Sequence, residues 1–217
     1  MTEQASVRVE GHGGQLALAA LKPFGVTELF TLSGGHVFPL YDAARADGVK
    51  IVDVRHEQSA VFAAEAVAKL QRRPGLAVLT AGPGVTNGVS GITSAYFNGS
   101  PVIVLGGRAP LFRWGAGSLQ EIDHVPLVAP VTKHAATVTA TADVAAAVRE
   151  AARVALSPHR GPVFLDFPLD VIYDKSAAEV PTSSTVDSIE PDPDEVAKAA
   201  ALLAAAQRPV IIAGSDV

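Results

Sequence analysis

Short apolar runs alternate with helix-period segments along most of this chain, and that alternation limits the fold more than any other feature. "ELFTLSG", "VKIVDVR", "PGLAVLTAGPG", "SPVIVLGG" and "GPVFLDFP" each read as a strand. Helices are predicted between and around them: "GGQLALAALKPFG", stopped near Gly25, then "HVFPLYDAARADG", residues 57–71, "VTNGVSGITSAYFNG" and "TADVAAAVREAARVALS". Strands separated by helices need right-handed crossovers, which give a parallel sheet covered on both faces. The predicted class is therefore α/β, a doubly wound, mainly parallel sheet with helices on both faces. A chain that is 48% hydrophobic and 18% charged can bury the core this requires.

Residues 176–191 break the pattern. They are rich in Ser, Thr, Pro and acid, with little apolar periodicity, and read as a surface linker. A helix over 193–207 and a strand over 209–213 are predicted beyond it. One helix and one strand cannot bury a core of their own. The expected division is a domain over 1–175, the linker, and the start of an incomplete second unit over 192–217.

The formal net charge of −5 and the lack of a basic stripe argue against a nucleic-acid surface. Arg72 and Arg73, the densest basic spot, fall in a predicted loop. Cysteine is absent, so no disulfide, thiolate metal site or cysteine nucleophile can form. The N-terminus lacks the blocks of a signal peptide, and no apolar run approaches a membrane span. A soluble cytoplasmic protein is expected, with no membrane and no nucleic-acid partner.

Two features carry candidate chemistry. "TAGPGVTNG" follows a strand and opens a helix, where backbone N–H groups could hold an anion or a ring edge. Gly82, Gly84 and Gly88 read GxGxxxG, a near miss to the dinucleotide fingerprint. The next strand ends at Arg108 and not at an acid, so a nicotinamide enzyme would need Arg108 to take a 2′-phosphate. A plain strand-to-helix turn remains the alternative. The second feature is Glu57. Val61, Ala64 and Ala68 share its helical face, and a carboxylate ending a small apolar stripe is costly to bury unless paired. It could be a first-turn acid helped by the helix dipole, or paired with Arg55 or His56. It could equally serve proton transfer in a dry interface. Glu65 lies toward the flank and is expected to be solvated. "EIDH", residues 121–124, is a local cluster that suggests a metal only weakly. Ser33, Ser59 and Ser90 lack a GxSxG elbow.

Together "RHEQSAVFAAEAVAKL", "LTAGPGVTNGVSGITSAYFNGSPVIVLGG", "GSLQEIDH" and "GPVFLDFP" resemble the thiamine diphosphate-dependent acetolactate synthase family, in order and in spacing. The resemblance implies a flavodoxin-like domain that binds the cofactor's pyrimidine. Glu57 matches the catalytic glutamate, which hydrogen-bonds the pyrimidine ring nitrogen and favours the imino tautomer that activates the thiazolium carbon. Pro83, Gly84 and Asn87 match the loop against the pyrimidine. Gly34 and Gly35 match a glycine pair after a strand. Gln120 matches a glutamine near the reacting centre. No residue of this chain is implied as a metal ligand: Mg2+ belongs to a diphosphate-binding domain whose GDG…N segment is absent here.

The resemblance further implies pyruvate and a second 2-keto acid as substrates, carboligation in branched-chain amino acid biosynthesis, and a homodimer or tetramer. The missing diphosphate-binding domain would come from another chain, so the 217 residues alone are expected to be inactive. The small-residue face of the Glu57 helix is the expected dimer contact. Three departures stand out. "LSGG" replaces "YPGG", and "LQE" replaces "FQE". "PHRGPV" replaces "GRPGPV", whose arginine contacts FAD, so His159 takes the arginine's place with Arg160 one later. Other readings are a 2-hydroxyacyl-CoA lyase or oxalyl-CoA decarboxylase of the same chemistry, or a non-catalytic pyrimidine domain.

Overall fold

The structure, a computed structural model, describes residues 5–184, 186 and 189–214. Its centre is a six-stranded parallel sheet of β2 (Glu28–Thr31), β3 (Lys50–Asp53), β4 (Gly75–Leu79), β5 (Val102–Arg108), β6 (His134–Thr137) and β7 (Val163–Pro168), in the order β3-β2-β4-β5-β7-β6. β4, β5 and β7 are buried at every position, which is why they read as continuous apolar runs.

Helices cover both faces, as expected of a doubly wound α/β sheet. α1 (Gly13–Leu21), α2 (Phe38–Asp47) and α6 (Val144–Leu156) pack with Leu29, Leu76, Val78, Ile103 and Leu105 in one core. α3 (Glu57–Gln71) and α4 (Pro83–Phe97) pack with Ala77, Leu79, Val102 and Val104 in the other. The alternation of Leu76 and Val78 with Ala77 and Leu79 follows the two-residue period of a strand. Local signals set the helix ends. His12 and Gln15 form a reciprocal cap on α1, and α2 stops at Gly48 in the left-handed region.

α3 lies close against α4 because α4 carries a glycine at the contact. A Cβ on Gly91 would sit 2.6 Å from Val61 Cβ on α3, while Gly88 brings α4 close to β4, where a Cβ would sit 2.5 Å from Leu79 Cδ1. This corrects one expectation. Val61, Ala64 and Ala68 do not present a bare small-residue face to a second copy; all three are buried within this chain, Val61 and Ala64 in one core with α4 and β4 residues.

Other differences lie at the chain's edges. The expected linker begins too early: β8 (Lys175–Pro181) is a strand, paired antiparallel with β1 (Ser6–His12), and Val9, Ala178 and Val180 pack on the first core. Neither strand was legible, because this ribbon is half exposed and carries charge. β6 was missed for a similar reason: it is a four-residue edge strand with Ala at its middle. Residues 185, 187 and 188 of the expected linker, and 215–217 of the expected second unit, lie outside the described residues. The short α7 (Leu169–Tyr173) follows β7, and α8 (Pro193–Ala205) forms with an Asp192 cap, but none of the α8 residues is buried. The strand expected over 209–213 is absent; Val210, Ile211 and Ile212 are exposed and pair with no strand.

The α3–α4 contact predicts that Gly91→Val lowers stability by about 1–3 kcal/mol through overpacking against Val61. Chemical denaturation monitored by circular dichroism checks this, and an unchanged midpoint would refute the contact.

Candidate functional site

The strand order reverses at β2, which has β3 on one side and β4 on the other. The chain leaves β2 toward α2 on one face and β4 toward α4 on the opposite face. Such a switch point opens a crevice at the carboxyl ends of the two strands. The loops bordering it are 32–35 and 80–84, which hold Gly34, Gly35, Gly82, Pro83 and Gly84. Thr80 joins them: a Cβ on Gly34 would meet the Thr80 side chain at 2.3 Å, and one on Gly84 would meet Thr80 Cγ2 at 2.7 Å. Both positions therefore need glycine for close approach. Gly35 differs. Its backbone is not left-handed, and a Cβ there would meet nothing within 4 Å.

Glu57 is the first residue of α3, just after the His56 cap, whose Nδ1 accepts the Gln58 N–H. Arg55 pairs with Asp53, so neither neighbour neutralises Glu57. The Glu57 side chain is buried, at 6% exposure. Its Oε2 accepts a hydrogen bond from Asn87 Nδ2 at 3.0 Å. Among the described residues its other oxygen has no hydrogen-bond partner. The fold thus brings together two predicted residues 30 positions apart.

Gln120 adopts a left-handed backbone, φ 59°, and lies against Gly82, where a Cβ would stand 2.8 Å from the Gln120 carbonyl oxygen. Gly34, Gly35 and Gln120 share a cavity of ≈ 670 Å³ with Thr80, Arg113 and His36. Glu57, Asn87, Pro83 and Gly84 do not line that cavity. Pro83 and Asn87 are exposed at the start of α4, and Gly84 is buried. His36 was not singled out from the sequence, where only its place after the glycine pair marked it. Burial holds its imidazole below the ordinary value of 6.5, against a Leu119 backbone hydrogen bond that acts the other way.

Glu65 corrects the sequence reading. It is not solvated but buried, at 6% exposure. Its carboxylate accepts from Ser94 Oγ at 2.9 Å, Asn98 Nδ2 at 2.8 Å and Ser100 Oγ at 3.2 Å, with Lys69 Nζ at 3.3 Å. Burial pushes this carboxyl up, but hydrogen bonds from Asn98, Ser94 and Lys69 together hold it below its ordinary value of 4.5. Arg108 does not offer a free guanidinium to a 2′-phosphate. It is buried, donating to Asp166 and Asp123, and stacks 3.8 Å from the centroid of the Trp114 ring. The 121–124 cluster disperses: Glu121 accepts from the Gly115 and Ser118 amides, while Asp123 meets Arg108. Among the described residues no cluster of ligands could hold a metal. No described helix is long and apolar enough to cross a membrane.

Residues 11–127 match the family described as "Thiamine pyrophosphate enzyme, N-terminal TPP binding domain". The chain belongs to this family. It is 48% identical over 95% of its length to a probable acetolactate synthase of Mycobacterium bovis and to the acetolactate synthase large subunit IlvG of Mycobacterium tuberculosis. It is 45% identical over 78% of its length to 2-hydroxyacyl-CoA lyase 2 of Caenorhabditis elegans. The chain spans 38% of the length of the two mycobacterial relatives and 27% of the worm lyase. The α/β sheet described above is the thiamine pyrophosphate-binding domain of this family, and thiamine diphosphate is its cofactor.

The contacts of Glu65 predict a pH effect. Its folded pKa lies below the unfolded 4.5, so its contribution is fully present above 4.5 and fades as pH falls through the folded value. Glu65→Gln is expected to flatten the acid limb of the stability curve. Equally steep limbs for variant and wild type would contradict the assignment.

Proposed function

We propose that this chain holds the aminopyrimidine of thiamine diphosphate in an acetolactate synthase-like enzyme, with Glu57 as the carboxylate at the pyrimidine ring. The observation that carries this reading is that Glu57 is buried with one oxygen held by Asn87 and no partner among the described residues for the other. That second oxygen is open to solvent rather than sealed in the interior, so a donor from outside the chain can reach it. A protonated ring nitrogen supplies the missing donor. The open space before Gly35 and the side-chain amide of Gln120, which has no partner among the described residues, also support the fit, since both border the crevice.

Thiamine diphosphate, when bound, supplies stabilised carbanion chemistry, with which a 2-keto acid is decarboxylated and its remainder joined to a second carbonyl. The chain's own residues do four things in this reading. Glu57 holds the proton at the pyrimidine ring nitrogen. Asn87 keeps the carboxylate aimed. Pro83 and Gly84 form the wall against the ring, with Gly34 and Gly35 allowing backbone approach. Gln120 faces the reacting centre with a donor and an acceptor.

The substrates proposed are pyruvate and a second 2-keto acid, as the names of the mycobacterial relatives suggest, with a role in branched-chain amino acid biosynthesis in the cytoplasm. Mg2+ and the diphosphate would be held outside this chain, by a further domain in a homodimer or tetramer. His159 stands where the pattern has its FAD-contacting arginine, with Arg160 one residue later, which weighs against FAD. The match to 2-hydroxyacyl-CoA lyases supplies the second reading, cleavage of a 2-hydroxyacyl-CoA.

In the enzyme that carries this chain, Glu57→Gln is expected to cut carboligation by about 10²–10³-fold or more, the scale for losing one positioned polar group in a catalytic site. Its circular dichroism spectrum is expected to match the wild type. Retained activity would sink the role of Glu57. Pyruvate consumption with thiamine diphosphate and Mg2+ is expected from the wild type; cleavage of a 2-hydroxyacyl-CoA without pyruvate consumption would transfer the assignment to the lyase reading.

A further inference from the structure

The crevice loop is fastened from behind by a buried side chain that the proposed function does not use. His124, fully buried just before α5 (Val125–Val128), accepts the Gly82 N–H at Nε2, 2.9 Å away. Its Nδ1 lies 2.9 Å from Asp166 Oδ2 on β7, and Asp166 is also fully buried. Arg108 NH1 donates to the same Asp166 oxygen at 2.9 Å. Among the described residues Asp166 Oδ1 is buried without a hydrogen-bond partner, and the carboxylate is held by its contacts on Oδ2.

Donor logic fixes the tautomer. A backbone N–H can only donate, so Nε2 must be bare and Nδ1 must carry the proton that Asp166 accepts. Gly82 is the residue where this matters. Its backbone, φ 61° and ψ −115°, is open to glycine and strained for any other residue, and its carbonyl accepts the Thr86 N–H that begins α4. Fixing the Gly82 N–H therefore fixes where α4 starts, and with it Pro83, Gly84 and Asn87, the partner of Glu57.

We propose that His124 is a positioning residue: in its Nδ1–H form, set by Asp166, it latches Gly82 and so sets the register of the 82–87 segment against Glu57. The latch itself stands on geometry; its bearing on the cofactor rests on the function proposed above.

The test uses amide hydrogen exchange and nitrogen NMR on this chain. In the wild type, His124 is expected to be protonated at Nδ1, with a coupling across the hydrogen bond from Gly82 N to Nε2. Protonation at Nε2, or no coupling, would overturn the proposal. His124→Leu is expected to speed exchange at Gly82 by about tenfold to a hundredfold, the scale of one lost buried hydrogen bond, while the β5 amides keep their rates. His124→Gln, which offers one acceptor and one donor at once, is expected to restore slow exchange. A uniform rise at Gly82 and β5 would show a merely structural histidine and overturn the latch. Should His124→Leu not fold, the wild-type coupling and the His124→Gln exchange decide. Titration with thiamine diphosphate and Mg2+ of the enzyme that carries this chain, as wild type and with the same two substitutions, separates the two claims. Weaker binding by His124→Leu than by His124→Gln supports the bearing on the cofactor, and equal binding overturns it. A wild type that shows no binding counts against the proposed function, and the exchange comparison still decides the latch.

Discussion

The close approach of α3 to α4, allowed by Gly91, sets the surroundings of both buried carboxylates. The contacts step the same way along both helices. Glu57, at the start of α3, meets Asn87 near the start of α4, and Glu65 meets Ser94 and Asn98 near its end. A bulkier residue at position 91 would push the helices apart and break both sets together.

The two glutamates differ in what the chain gives them. Glu65 receives hydrogen bonds from Ser94, Asn98 and Ser100 and an ion pair with Lys69. Among the described residues Glu57 receives one, from Asn87. At equal burial, the first is satisfied by its own fold and the second is left short. The free oxygen of Glu57 is open to solvent, so a side chain that is mostly buried still presents an acceptor to a donor from outside the chain. The proposed role of Glu57 follows from that difference, not from its being an acid in a helix.

The central strands were legible because strands buried on both faces read as continuous apolar runs, as in "LAVL" and "VIVL". β1, β6 and β8 were not, because a half-exposed or edge strand needs only a few apolar positions. Glu57 was legible as a carboxylate beside small residues. The sequence could not say that α4 lies against α3, so it assigned the small face to a second copy and Glu65 to solvent. Residues 121–124 look like one cluster in sequence, but each side chain turns to a different partner. Only the sheet, by placing Asp166 and Gly82 on either side of His124, gives that histidine a task.

The switch point explains how separate loops meet. β2 and β4 are neighbours with opposite exits, so Gly34 and Gly84 both pack on Thr80. The most direct test of the contrast between the glutamates is the unfolding free energy of this chain as Glu57→Gln and as Glu65→Gln, by denaturant titration near neutral pH. The account predicts that Glu65→Gln is less stable by about 1–3 kcal/mol, the scale of disrupted buried charged hydrogen bonds, while Glu57→Gln matches or exceeds the wild type. A loss at Glu57 as large as that at Glu65 would make Glu57 a structural acid and contradict the account.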